Sequence, residues 1–339
     1  MGETMRAVIC ESWRPYDEME LKSVPVPGPL APGEVRIGVS HAAVSWATTL
    51  VVEGKYQRKP TLPFSPGAEV SGTVLELGEG PLDADLKVGD RVCAALDWGG
   101  YAEQVVVHSR HVYPIPEGLD SGPATAIPIG WMTAYGGLMW RARLQPGEKV
   151  LVHGACGGVG LPAVDIARAV GAEPFAVVRG EAKAAFLRER GVEHVIDTTK
   201  TSFRDYVAEA TDGRGVDVVY DTVGEKVFHD SLRCLDVGGR HIVIGFVGGG
   251  IPSVPANILL LKNIHVAGFN MGQHVGWGVK DERVRWAADY RAGVEQLMDW
   301  WKAGRIAPQV HAVMPLEDFR EGMRQVTDRN AIGRVLLTP

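Results

Sequence analysis

Cysteine is scarce in this chain of 339 residues, and the four present, Cys10, Cys93, Cys156 and Cys234, stand at least 63 residues apart. Structural zinc sites need thiolates paired within one turn, and disulfide frameworks belong to smaller, cysteine-dense chains, so neither is expected. The ten histidines include no His-x-x-x-His pair. No run of 18 apolar residues escapes interruption by Gly, Pro or a charge, which argues against a transmembrane helix. The first eleven residues carry Glu3, Arg6 and Glu11 and lack the apolar run of a signal peptide, so the expectation is a cytoplasmic protein. Basic charge is not in excess either. Lys and Arg number 35 against 41 Asp and Glu, a formal charge of −6, which gives no electrostatic reason to expect nucleic acid or a membrane as partner.

Glycine is abundant, at 42 residues, and clusters at 154–160, 213–215, 238–250 and 268–278. Tight backbone turns around a ligand need such clusters. Apolar residues make up 45% of the chain, ample for the cores of two domains.

The first third reads as short strands, at 5–10, 35–39, 69–77, 91–95 and 101–107, punctuated by Pro/Gly turns. From about residue 130 the pattern changes. Apolar runs at 149–153, 174–178, 193–197, 216–221, 241–245 and 264–268 alternate with amphipathic stretches at the spacing of one strand plus one crossover helix. Six parallel strands wound with helices give an α/β fold, a doubly wound Rossmann sheet. A further helix is expected over 281–303, and a closing unit, 316–326 and 334–337, returns to the first domain.

The segment Val150-Leu151-Val152-His153-Gly154-Ala155-Cys156-Gly157-Gly158-Val159-Gly160 is a buried strand running into a glycine turn and then a helix. Gly157, Gly158 and Val159 are the expected pyrophosphate contacts, through backbone N–H groups at a helix N-terminus. His153, inside the strand, is read as structural. The second strand ends in Arg179, with Lys183 four residues on. A guanidinium fork there suits a 2′-phosphate, hence NADPH, whereas Glu181 is the competing signal for a ribose diol and NADH. Lys183 also fits a solvated helix face. The turns Asp221-Thr222-Val223-Gly224 and Gly245-Phe246-Val247-Gly248 are expected toward the nicotinamide half, with Val223, Phe246 and Val247 as contacts, or else serve turn geometry alone.

The motifs Pro63-Phe64-Ser65-Pro66-Gly67-Ala68-Glu69, Lys87-Val88-Gly89-Asp90-Arg91-Val92, Gly99-Gly100-Tyr101-Ala102-Glu103, Thr133-Ala134-Tyr135 and Ile332-Gly333-Arg334-Val335-Leu336-Leu337, with the glycine turn, run in order along nearly the whole chain. In them the chain resembles the medium-chain dehydrogenase/reductase superfamily, in its zinc-independent quinone oxidoreductase branch. The resemblance implies a GroES-like β-rich catalytic domain from residues 1–125 and 269–339, with a Rossmann NADP(H)-binding domain, 126–268, inserted between them. It adds Thr133 and Arg329 to the cofactor contacts and implies a homodimer. Zinc ligands of the metal-dependent relatives correspond to Ser45, Ala68 and about Ile129, none of them a normal zinc ligand, so no metal is expected.

Hydride transfer without a Lewis acid suits quinones and α,β-unsaturated carbonyl compounds, whose own carbonyl takes up developing charge. The stretch Gly54-Lys55-Tyr56 is similar to that in which related enoyl reductases carry a proton-donating tyrosine, making Tyr56 a candidate catalytic acid and packing its alternative. Ser45 stands where many quinone oxidoreductases have the Asn of Asn-x-x-Asp, and Thr48 replaces the Asp. Trp46, Trp131 and Trp277 are candidate walls for a flat apolar acceptor. The competing readings are an enoyl thioester reductase, with Arg58 and Lys59 as phosphate readers for coenzyme A, and a non-catalytic NADPH-binding protein with a structural or regulatory role.

Overall fold

The computed structural model describes residues 2–339, with Lys226 described by its backbone alone. The chain forms two compact units, one of Met1–Ile129, Met271–Met298 and Pro308–Pro339, the other of Gly130–Asn270 and Asp299–Ala307.

Val150, Leu151 and Val152, like Val218, Val219 and Tyr220, are buried without exception, as expected of strands covered on both faces. Among the described residues they belong to a six-stranded parallel sheet in the second unit, Lys149–His153, Glu173–Val178, His194–Asp197, Val216–Asp221, Leu235–Val243 and His265–Gly268 in chain order. In space the third strand lies at one edge, followed by the second, first, fourth, fifth and sixth. The order reverses between the first and fourth strands, and the crevice beyond their carboxyl ends is where doubly wound sheets bind ligands. The helices Gly160–Ala169, Glu181–Glu189, Phe203–Ala210, Glu225–Cys234 and Ala256–Lys262 connect them. The segment Asp299–Ala307 docks through Ala307, whose N–H donates to Asp165 at 3.3 Å, while Arg190 clamps the same carboxylate and the Ala307 carbonyl.

In the first unit the long strand Glu34–Val44 pairs antiparallel with Glu69–Leu77, with Gln104–His108 and with the last strand, Arg334–Thr338. Val335 lies opposite Val44, so the tail is woven into the first unit's sheet. Ile37, Val70, Val92, Phe319 and Leu337 form the core beneath. Helix Trp46–Val52 is absent from the sequence-based expectation because Thr48, Thr49, Val51 and Val52 favour strands. Ser45 starts it as N-cap, and burial of Thr48, Thr49 and Val52 outweighs local preference. No described helix is long and apolar enough to cross a membrane.

Candidate active site

The first strand of the parallel sheet delivers the glycine turn. Gly154 adopts φ +66°, and the N–H of Gly157 donates back to the Gly154 carbonyl at 2.8 Å. A Cβ at Gly160 would lie 2.1 Å from the Gly154 carbonyl oxygen, so only glycine lets helix and turn close this tightly. Val159 caps helix Gly160–Ala169 without any side-chain hydrogen bond. An anion can therefore be met by backbone donors and by the positive end of the helix. Cys156 in this turn is buried, its Sγ 3.7 Å from the Lys183 carbonyl, and burial pushes its thiol up to about 12, which makes it inert.

At the end of the second strand Arg179 is exposed, with no hydrogen bond or ion pair to any described residue. Glu181 differs. Arg188 donates to it at 2.8 Å and Lys200 closes on its other oxygen, and the hydrogen bond from Lys200, then that from Arg188, holds its carboxyl below the ordinary range. Asp197, ending the third strand, accepts the N–H groups of Gly180 and Thr199 on Oδ1 at 2.8 and 3.0 Å, and its Oδ2 is buried away from the surface. The available side chain at this corner is thus cationic.

The two later turns are hydrogen-bonded to each other. Val247 N–H donates to Thr222 O at 3.2 Å and Gly248 N–H to Val223 O at 2.9 Å, which brings Val223, Phe246 and Val247 together. Buried Asp221 organises both from below, accepting the N–H groups of Val223 and Gly224 at 2.8 and 2.9 Å and facing His241 Nε2 at 3.1 Å. Burial acts to raise its pKa, but the hydrogen bond from His241 and its neighbours outweigh that and keep the carboxyl below its ordinary value. Thr222 Oγ1 donates to the His153 carbonyl at 3.0 Å, tying this turn to the residue before Gly154. His153 is buried as expected of a structural residue. Ser231 gives its single proton to Val227 O at 2.6 Å, so His153 Nε2 is the donor in the 2.7 Å contact to Ser231. Thr133 is buried in the helical turn Met132–Tyr135, which a π-helical turn, Gly136–Ala142, extends. Trp131 is 2% exposed and packs as a core side chain.

In the first unit Ser45 and Tyr56 flank the same short helix. Ser45 Oγ accepts the Thr48 N–H at 3.3 Å and contacts Thr48 Oγ1 at 3.0 Å. Capping therefore accounts for this serine. The Tyr56 N–H donates to Leu50 O at 3.0 Å beyond the helix end. Burial pushes its phenol above the ordinary value, against a smaller opposing hydrogen bond with Gln57, so Tyr56 Oη stays protonated well past neutrality. The guanidinium of Arg329, itself at φ +59°, lies 6.0 Å from the Trp46 ring centroid, in the first unit and not in the nucleotide fold. Trp277 is half-buried and donates its indole N–H to Asp97 Oδ1 at 3.1 Å. Arg58 makes a bidentate pair with the same Asp97, at 2.9 and 3.1 Å. Its guanidinium is thereby taken up, which weakens the reading of Arg58 as a coenzyme A phosphate reader.

Comparison with known proteins places this geometry. Residues 158–289 match the family model of zinc-binding dehydrogenases, and residues 31–117 match that of the alcohol dehydrogenase GroES-like domain. A quinone oxidoreductase-like protein 2 of Rattus norvegicus is 37% identical over 337 residues, covering 98% of this chain and 92% of that protein. The quinone oxidoreductase of the same species is 31% identical over 336 residues, covering 98% and 97%. The chain belongs to the medium-chain dehydrogenase/reductase superfamily, in its zinc-independent quinone oxidoreductase branch. Among solved structures, a mycobacterial protein complexed with NADPH superposes with a TM-score of 0.89 at 27% identity, covering 99% of this chain and 100% of that one. As a medium-chain dehydrogenase/reductase, the protein is an oxidoreductase of a family that binds nicotinamide cofactors.

The metal of zinc-dependent medium-chain dehydrogenases does not fit the residues here. Ser45 is a helix cap, and Ala68 and Ile129 offer no side-chain donor. The remaining acid, Glu69, is buried with Arg334 at 2.7 Å and accepts the Ile129 N–H at 3.0 Å. Among the described residues no three His, Cys, Asp or Glu side chains gather to hold an ion. Sequence reasoning passed over Asp97, whose partners Arg58, Trp277 and Arg283 come from distant segments, and it named the turn at Asp221 without finding the contact to His241.

Proposed function

We propose that this protein is an NADPH-dependent reductase of quinones or α,β-unsaturated carbonyl compounds, working without a metal. The carrying observation is the unengaged Arg179 at the end of the second strand, beside a Glu181 already neutralised by Arg188 and Lys200. A 2′-phosphate meets a cation there, and a ribose diol meets no free carboxylate. Gly157, Gly158 and Val159 would hold the pyrophosphate, Arg179 and Lys183 the 2′-phosphate, and Thr133, Val223, Phe246 and Val247 the nicotinamide half. The absence of a Cβ at Gly160 keeps that cradle open.

When bound, the cofactor supplies a hydride. Tyr56 supplies a proton, since a phenol raised by burial keeps its Oη–H at the pH of the reaction and can donate it to the enolate or quinolate left on the acceptor by hydride transfer. Trp46 and Trp277 offer aromatic surface to a flat apolar acceptor. The expected physiological state is a homodimer. In support, strand His265–Gly268 is paired on one side only among the described residues, and Leu260 and Leu261 on the adjacent helix are each 77% exposed.

The test is oxidation of NADPH and of NADH against a panel of quinones, alkenals and enoyl thioesters, with and without chelator. Turnover with NADPH on quinones or alkenals, unchanged by chelator, is expected. Tight NADPH binding with no turnover on any acceptor would instead favour a regulatory role, and activity restored only by zinc would overturn the metal-free mechanism.

A further inference from the structure

Asp97 is the most heavily engaged side chain near the segment that carries Tyr56. It receives Arg58 through both guanidinium nitrogens at 2.9 and 3.1 Å, Arg283 Nη2 at 3.2 and 3.3 Å, and the Trp277 indole N–H at 3.1 Å. Arg283 also donates to Asp281 at 2.9 Å, and Arg58 lies 4.7 Å from the Trp98 ring centroid. Two guanidinium groups are thereby paired with two carboxylates, Asp97 and Asp281, beside the rings of Trp98 and Trp277. The loop carrying Trp277 is shaped for this. Gly276, at φ +88°, lets the Arg283 guanidinium pass where a Cβ would stand 2.0 Å from Nη2. Residues from three distant segments, 58, 97–98 and 276–283, converge within one unit on a single carboxylate.

We propose that Asp97 is a specificity-determining residue: by cancelling Arg58 and Arg283 and fixing Trp277, it makes the acceptor surface select uncharged flat molecules and reject anionic ones, sulfonates and coenzyme A thioesters among them. The proposal rests on the reading of this segment as the acceptor side of a quinone or enone reductase. Asp97 is a positioning residue. It transfers no proton, and its effect is exerted through the charge and placement of its partners. Exchange to Asn keeps one acceptor oxygen and removes the negative charge, leaving the two arginines with Asp281 alone and a net positive patch.

The experiment measures binding of 1,4-naphthoquinone and its 2-sulfonate to the full-length protein by calorimetry, with turnover recorded separately. The wild type is expected to prefer the neutral quinone, and Asp97→Asn to cut that preference about fivefold or more. Adding Arg58→Gln to Asp97→Asn should restore most of it, because the released cation is gone. Trp277→Phe should weaken both ligands alike and leave the ratio unchanged. Should Asp97→Asn fail to fold, Arg58→Gln alone should raise the preference for the neutral quinone above wild type. An unchanged ratio in Asp97→Asn, no restoration by Arg58→Gln, or no binding of either quinone by the wild type overturns the proposal. Absence of turnover with intact, charge-dependent binding would sink the reductase reading and leave the role of Asp97 standing.

Discussion

Arg179 and Glu181 stand two residues apart, and their different company decides what each can do. Replacing Arg179 by Ala should weaken NADPH by roughly 10- to 100-fold, the worth of a charge-assisted bond to phosphate, and leave NADH within about twofold. Fluorescence titration of both cofactors checks this. The sequence showed both side chains but not the partners of Glu181, since Lys200 lies 19 residues from it and no periodicity links them. Tyr56→Phe should lower kcat by about 100-fold with NADPH affinity unchanged, because proton donation is lost and packing is kept. Stopped-flow turnover beside a binding titration separates the two. His153 makes a prediction about stability. Burial lowers its pKa to about 4, from 6.5, so the unfolded chain takes up the proton first as pH falls. Stability from this group is intact above about 6.5 and is lost as pH drops toward 4, with a slope of about 1.4 kcal/mol per pH unit within that window. Denaturant melts at pH 7.5 and 5 should show the loss, and His153→Gln should reduce the difference without abolishing it, because burial lowers His111 to about 4 as well.

The strand–turn–helix around Gly154 to Gly160 is held by backbone approach, so its sensitivity lies in missing side chains. Gly160→Ala places a methyl against the Gly154 carbonyl, and the expected outcome is a destabilisation of about 1–3 kcal/mol with NADPH affinity reduced at least tenfold. Thermal melts with and without cofactor test both. This element was legible in the sequence because strands buried on both faces read as unbroken apolar runs, as Val150-Leu151-Val152 and Val218-Val219-Tyr220 do. Helix Trp46–Val52 was not, because its β-branched residues carry a strand preference that Ser45 and tertiary burial override. The helical turns around Thr133 were equally hidden. Their π-helical geometry has a repeat that apolar patterning at 3.6 residues does not detect. The same limit applies to Trp131, whose burial no single-residue pattern conveys.

At the scale of the whole molecule, the proposed homodimer would use the edge at His265–Gly268, unpaired among the described residues, and the exposed Leu260 and Leu261. Exchanging both leucines for Glu should give a monomer in analytical ultracentrifugation with the fold retained, and an unaltered sedimentation coefficient would move the contact elsewhere. The chain also passes between its two units four times, because Asp299–Ala307 returns to the nucleotide-binding unit after 271–298 has left it. A nucleotide-binding fragment excised at residue 270 would therefore lack its last piece. It would leave Asp165 without the Ala307 N–H and Arg190 without a carbonyl to grip. A gene fragment designed to stand alone, or a domain graft onto a different acceptor-binding partner, has to carry that nine-residue strip along, by a linker or by permuted ends.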